Sequence, residues 1–124
     1  MDRIFTISEA RDLLPEVIAR ADEFITVRAD LIELRAALQW GEPSPLGGLP
    51  EAKALEARFD ELLNWFPAHD LELKGAAPLL LDFRSRIDGD DVLLCWLEGD
   101  RELAWYHKPE HGFAGRRRIP AGAT

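Results

Sequence analysis

The sequence predicts an α+β fold in which an antiparallel helical hairpin packs on an antiparallel sheet of three to four strands. Two observations predict this class. The first half of the chain carries two helical patterns joined by a loop rich in proline and glycine. The second half carries short apolar segments separated by turn residues, which is typical of antiparallel strands. We therefore expect one domain over residues 1–124, with the hairpin at 7–67, a β-meander at 70–108 and a basic tail at 109–124.

The first helix is predicted from a capping signal and from the spacing of its apolar residues. Thr6 and Glu9 fit a capping box, in which each side chain accepts a hydrogen bond from the backbone N–H of the other residue. Apolar residues then recur at helical spacing from Glu16 to about Trp40. We expect a kink or a restart at Pro15, because proline has no N–H and its ring clashes with the preceding turn.

A loop and a second helix complete the hairpin. Residues 41–50 include three prolines and three glycines, so we expect a flexible loop there. Pro50 suits the first position of the second helix, and Pro67 should end that helix. The apolar stripe of the first helix is wide, which suggests that a partner covers one side of it. Together with the mixed composition of the second face of the sheet, this stripe predicts a homodimer.

Turn residues divide the rest of the chain into strands. Asp88-Gly89 is a strong signal for a two-residue hairpin turn, and a second turn is expected at Gly99-Asp100. The expected strands, of which the first is an edge strand, are residues 69–75, 79–83, 92–97 and 102–107.

The two turns predict which side chains share a face of the sheet. The first places Asp82 opposite Cys95, and the second places Cys95 opposite Ala104. This register puts His107 on the core face, away from Cys95. The predicted core face comprises Leu81, Phe83, Val92, Leu94, Trp96, Leu103, Trp105 and His107. The other face mixes aliphatic and charged residues, which is typical of an interface, a groove or a binding site.

Charge and composition exclude several functional classes. Fifteen basic and 23 acidic side chains give a net charge of −8, which argues against nucleic acid as a partner. The single cysteine cannot form an intramolecular disulfide and suits a reducing compartment, so we expect a cytoplasmic protein. We expect no membrane partner either, because no apolar run approaches the length of a membrane helix.

Several short segments spread along the chain also resemble those of a known protein family, and they occur in the same order as in that family. They are Phe5-Thr6-Ile7-Ser8-Glu9-Ala10, Leu14-Pro15, Leu81-Asp82-Phe83, Asp88-Gly89, Leu94-Cys95-Trp96, Trp105-Tyr106-His107 and Gly112-Phe113-Ala114-Gly115-Arg116. With them the chain resembles the bacterial domain-of-unknown-function family numbered 2203. It departs from the family at Trp105-Tyr106-His107, where the family often reads Tyr-Trp-His. The resemblance implies a small bacterial cytoplasmic protein with no established activity.

Four side chains are candidate metal ligands, namely Asp82, Cys95, His107 and His111. Cys95 and His107 are also the candidates for a nucleophile and its base. The predicted register opposes both interpretations because it separates His107 from Cys95. No paired-ligand motif such as Cys-x-x-Cys is present, and Cys95 is better explained as a small buried hydrophobe. We therefore predict no cofactor and no metal.

Arginines provide the candidates for an anion site, which are Arg84, Arg86, Arg116 and Arg117. In the alternative interpretation Arg116 pairs with Asp82 or Glu98 while Phe113 fills the core. The sequence as a whole predicts a non-enzymatic binding or self-association module with a small anionic ligand of unknown identity. The alternative is a small metal-dependent or hydrolase-like enzyme that uses Asp82, Cys95, His107 and His111.

Overall fold

The computed structural model describes residues 3–124, which form two helices and one antiparallel sheet. The elements are α1 (Ile7–Trp40), α2 (Leu49–Ala68), β1 (Glu72–Ala76), β2 (Leu79–Ile87), β3 (Asp90–Leu97), β4 (Trp105–His107), a 3-10 turn (Phe113–Gly115) and β5 (Arg117–Arg118). The strands lie in chain order from β1 to β5. The α+β class is confirmed, and the sheet gains a fifth strand because Arg117 and Arg118 pair with β4.

The chain divides into two compact units, with one boundary within α1 and the other near the end of α2. One unit comprises the chain up to Ile18 together with Phe66–Thr124, so it contains the sheet and the first turns of α1. The other comprises Ala19–Trp65, which is most of both helices and the loop between them. No helix in the described part of the chain is long and apolar enough to cross a membrane.

The unit that contains the sheet buries one face of it. Leu81, Phe83, Leu94 and Trp96 are at most 2% exposed, as their predicted place on the core face requires. Phe5, just before α1, meets Phe83 edge to face with ring centroids 5.4 Å apart. Apolar burial of this kind is the main stabilising contribution in a domain of this size.

The start of α1 has the predicted capping box. The Thr6 N–H donates to Glu9 Oε1 at 2.8 Å, and the Glu9 N–H donates to Thr6 Oγ1 at 3.0 Å. The hydrogen bond from Thr6 lowers the pKa of Glu9, because it stabilises the carboxylate.

The predicted restart at Pro15 does not occur, since α1 is one helix from Ile7 to Trp40. Leu14 and Val17, on either side of the proline, are both buried. Their burial offsets the backbone hydrogen bond that Pro15 removes, so tertiary packing outweighs local propensity here. Pro67 is likewise inside α2, which ends one residue later than predicted.

The hairpin unit confirms the antiparallel pairing of the two helices. Arg35 near the end of α1 forms an ion pair of 3.2 Å with Glu56 near the start of α2. Glu23, earlier in α1, pairs with Arg58, later in α2. Phe24 lies beside Phe59 with ring centroids 5.0 Å apart. Residues farther from the loop on α1 thus meet residues farther from the loop on α2.

The register between β2 and β3 is the predicted one. Asp88 and Gly89 both have positive φ angles, 52° and 83°, as a two-residue hairpin turn of this kind requires. Asp82 consequently lies opposite Cys95 and Phe83 opposite Leu94.

The predicted register between β3 and β4 is wrong by one residue. Cys95 lies opposite Trp105, not Ala104, and Leu93 lies opposite His107. The connection is not a two-residue turn but the seven residues 98–104, between the end of β3 and the start of β4. A shift of one residue moves every side chain of a strand to the other face. Trp105 and His107 therefore share a face with Asp82 and Cys95, and not with the core residues.

Asp100 holds the start of this longer connection against the end of β3. Its carboxylate accepts the N–H of Leu97 at 3.0 Å, and its carbonyl accepts the indole N–H of Trp96 at 3.0 Å. Through these two bonds, Trp96 and Leu97 at the end of β3 hold the first residues of the connection in place.

The capping box gives a direct stability test. Thr6→Ala removes the hydroxyl that accepts the Glu9 N–H, so we expect a loss of about 1 kcal/mol of unfolding free energy by urea denaturation. Thr26→Ala is the matched control, because the Thr26 hydroxyl only donates to the Asp22 carbonyl within the helix. Equal losses in both variants would show that the box does not hold the start of α1.

Candidate metal centre

Three adjacent strands bring Asp82, Cys95 and His107 together on the face opposite the core. One ligand atom from each residue lies within 4.8 Å of the other two. The residues are 2%, 1% and 4% exposed, respectively. Asp82 and Cys95 are direct cross-strand neighbours, and His107 lies opposite Leu93, two positions before Cys95 on β3. The centre is thus a consequence of strand register.

The backbone at Lys108 orients the His107 ring. Nδ1 of His107 lies 2.9 Å from the Lys108 carbonyl oxygen. A carbonyl can only accept, so Nδ1 carries the hydrogen and donates it. In the neutral ring Nε2 is then the unprotonated nitrogen, and its lone pair is directed away from the backbone. Histidines that bind metals are commonly held in this way.

That lone pair faces a second acceptor. Nε2 of His107 lies 3.3 Å from Oδ2 of Asp82, which has no hydrogen of its own when the carboxylate is ionised. A proton or a cation between the two atoms makes the contact favourable. The other carboxylate oxygen, Oδ1, is buried and has no hydrogen-bond partner among the described residues. Unpartnered buried oxygens are uncommon and mark sites where another group is expected.

Burial has the largest effect on the pKa values of Asp82 and Cys95. It raises the pKa of Asp82, while the neighbouring His107 opposes the rise. It also raises the pKa of the Cys95 thiol to about 12, with the negative charge of Asp82 adding to the effect and Arg116 opposing it. Both groups therefore hold their protons more tightly than exposed ones do. A bound cation reverses this preference, because a metal-coordinated thiol is deprotonated.

The donor set fits zinc. Sulfur, imidazole nitrogen and carboxylate oxygen are its three usual protein ligands, and three protein ligands leave one tetrahedral position open. With metal–ligand distances of about 2.0–2.1 Å, tetrahedral nitrogen and oxygen ligands lie about 3.3–3.4 Å apart. The 3.3 Å separation of Nε2 and Oδ2 matches that spacing.

His111, the fourth predicted ligand, is outside the group of residues that could hold a metal in the described chain. It is exposed in the loop after β4 and lies beside Gly115, where a Cβ would come within 2.6 Å of the His111 Cβ. The structure thus brings together three of the four candidate ligands.

The same geometry does not suit nucleophilic catalysis by Cys95. A base needs one nitrogen directed at the thiol and the other held by an orienting group. Nε2 of His107 is directed at Asp82, and Nδ1 is directed at the Lys108 carbonyl. With its pKa at about 12, the thiol is protonated at neutral pH.

The four candidate arginines of an anion site have separate surroundings. Arg84 pairs with Glu72 at 3.8 Å, and Arg86 pairs with Asp91 at 2.9 Å. Arg117 is exposed on β5.

Arg116 stacks on aromatic rings. Its guanidinium carbon is 4.7 Å from the ring centroid of Trp105 and 4.4 Å from that of Phe113. Phe113 is only half-buried, so it does not fill the core as the alternative interpretation had it. Of the two partners suggested for Arg116, Asp82 pairs with His107, and Glu98 accepts the N–H of Leu79 at 2.9 Å.

Sequence reasoning missed two parts of this centre. The Lys108 carbonyl is a backbone group, and no side-chain pattern indicates it. The length of the β3–β4 connection is the second part, because Asp100 indicates only the tight turn at the start of that connection.

The contact between two acceptors, Oδ2 of Asp82 and Nε2 of His107, predicts a stabilising substitution in the metal-free protein. Asp82→Asn replaces the buried carboxylate with a neutral amide, and an NH₂ in the place of Oδ2 can donate to Nε2 of His107. At pH 8 with a chelator present, we expect the variant to be more stable by about 1–3 kcal/mol in urea denaturation.

The gain should depend on pH in a defined direction. The folded pKa of Asp82 is raised, so the unfolded chain loses this proton first, near pH ~3.9. The wild-type carboxyl therefore costs stability as the pH rises above that value, whereas the amide does not ionise. The advantage of Asp82→Asn should shrink at pH 4. A variant less stable than wild type at both pH values would contradict the account.

Comparison with known proteins identifies a family and no relative of known structure. The family model described as "Uncharacterized conserved protein (DUF2203)" matches residues 3–119, which includes every strand and all three residues of the centre. No curated protein matches the chain, and no solved structure matches it. The match covers well over half of the sequence, and the chain therefore belongs to the DUF2203 family.

Proposed function

We propose that this protein binds a divalent transition metal, with zinc the best fit, through Asp82, Cys95 and His107. The observation that carries the proposal is the 3.3 Å contact between Nε2 of His107 and Oδ2 of Asp82, with the Cys95 thiol adjacent. The orientation of His107 by the Lys108 carbonyl and the unpartnered Oδ1 of Asp82 support it.

The charge at the centre also supports a divalent cation. Ionised Asp82 and Cys95 supply two negative charges, and His107 ligates as the neutral ring, so a divalent ion is neutralised. Burial of an uncompensated charge is costly, and a neutral assembly avoids that cost. A zinc ion with three protein ligands supplies an open position for water or for a small ligand, together with Lewis acidity.

Zinc titration of the metal-free protein tests the proposal. In competition with a chromophoric chelator at pH 7.5, we expect one equivalent to bind. Cys95→Ser and His107→Gln should each weaken the affinity by about a hundredfold or more, because each removes a direct ligand. Zinc should also raise the thermal midpoint of the wild type and not that of these variants.

His111→Ala is the matched control for these variants, since it removes a nearby histidine outside the centre. Its zinc affinity should equal that of the wild type. If His111→Ala weakened binding as much as His107→Gln, zinc would be held at the surface and the proposed centre would be wrong. The absence of stoichiometric binding to the wild type would have the same consequence.

A second candidate function is self-association, which we also propose from the hairpin unit. Ile32 and Leu38 of the apolar stripe predicted to face a partner are 62% and 41% exposed, and Trp40 at the end of α1 and Leu49 at the start of α2 are 73% and 61% exposed. A second copy of the chain would cover Ile32 and Trp40, which lie about two turns apart on α1, in a twofold dimer.

Sedimentation equilibrium tests this candidate. We expect the wild type to dimerise and Trp40→Glu to raise the dissociation constant by about tenfold or more, because a large apolar contact is replaced by a charge. Gln39→Glu adds the same charge at the neighbouring exposed position and should have little effect. A wild type that stays monomeric at high micromolar concentration would rule the dimer out.

A further inference from the structure

A pocket of about 450 Å³ lies in the sheet unit, away from the three candidate ligands. Three arginines from distant parts of the sequence line it, namely Arg11 of α1, Arg101 of the β3–β4 connection and Arg118 of β5. Glu102 is also in the lining, so the local charge is +2, three positive against one negative. The chain as a whole carries −8, so this concentration of positive charge runs against the composition. The volume is typical of small-molecule sites.

Two of the three guanidiniums are held in place by the fold. Arg11 donates to the Leu103 carbonyl from Nη2 at 3.1 Å and from Nε at 3.4 Å. A guanidinium has five N–H groups, so Arg11 keeps three for a ligand. Arg118 lies over the Trp105 ring, with its guanidinium carbon 5.0 Å from the ring centroid. Arginines fixed in this way lose less side-chain entropy when they bind an anion.

The rest of the lining is apolar. Leu14 and Leu103 are buried, and Ala104 and Ile119 complete this part of the surface. A hydrogen bond of 2.8 Å from the Ile119 N–H to the Ala104 carbonyl extends the β4–β5 pairing and joins the two residues. The pocket therefore offers a ligand both positive charge and aliphatic contact.

We propose that this pocket binds a phosphate monoester that carries a small apolar substituent. A phosphate monoester has nearly two negative charges at neutral pH, which matches the local charge of +2. Its three terminal oxygens can accept from several guanidiniums, whereas one bidentate arginine satisfies a carboxylate. The site uses none of the arginines expected from the sequence and does not depend on the metal centre.

A titration of the 124-residue chain with hexyl phosphate tests the proposal, with inorganic phosphate and hexanoate as the other two ligands. Amide chemical shifts measured by NMR should change at residues 11–14, 101–104 and 118–119. Hexyl phosphate should bind most tightly, because it alone offers both the dianion and the apolar chain. Tighter binding of hexanoate would overturn the phosphate assignment.

Substitutions of single arginines distinguish specific binding in this pocket from nonspecific electrostatic attraction. Arg101→Gln and Arg118→Gln should each weaken hexyl phosphate about tenfold, the loss expected for a hydrogen bond between charged groups. Arg117→Gln is the matched control, since Arg117 is exposed next to Arg118 but does not line the pocket, and its affinity should equal that of the wild type. An equal loss in Arg117→Gln would contradict the proposal.

A gain of affinity provides the last test. Glu102→Gln removes the negative charge from the lining and should tighten hexyl phosphate about threefold. Misfolding cannot produce such a gain. Unchanged affinity in this variant, with shifts outside the three segments, would show that phosphate binds elsewhere. The zinc titration measures a different property, so either proposal can fail while the other holds.

Discussion

The pairing of β3 with β4 is the constraint on which the candidate centre depends. Because Leu93 lies opposite His107, the histidine shares a face with Cys95 and Asp82. One residue fewer in the connection would place His107 on the core face, and the three ligand types would be separated. Asp100 holds the start of that connection through its bonds to Leu97 and Trp96. The length of the connection thus determines which chemistry the sheet can present.

The centre also lowers the stability of the fold, and apolar burial in the core must compensate for that loss. Asp82, Cys95 and His107 are buried as deeply as the apolar residues of the opposite face, and one carboxylate oxygen lacks a partner among the described residues. A leucine-like residue at position 82 would pack without that penalty. The apolar face of the sheet and the buried start of α1 supply the compensating stability. Polar groups retained at such a cost are typical of functional sites.

Local features of the fold were predictable from the sequence, and long-range ones were not. The capping box at Thr6 and Glu9 and the turn at Asp88-Gly89 depend on residues only a few positions apart, and both are confirmed. The prediction of the β3–β4 register failed because the tight turn, which the Asp100 N–H closes on the Leu97 carbonyl, is followed by residues 101–104 before β4 begins. The phosphate pocket had no signal at all, since its arginines are scattered between positions 11 and 118 and meet only after folding.

X-ray absorption at the zinc edge tests the central claim most directly, because it reports the atoms bound to the metal. The account predicts one sulfur at about 2.3 Å and nitrogen or oxygen ligands at about 2.0–2.1 Å. The sulfur contribution should disappear in Cys95→Ser. A spectrum of the wild-type zinc complex without sulfur would contradict the assignment of Cys95 and, with it, the proposed centre.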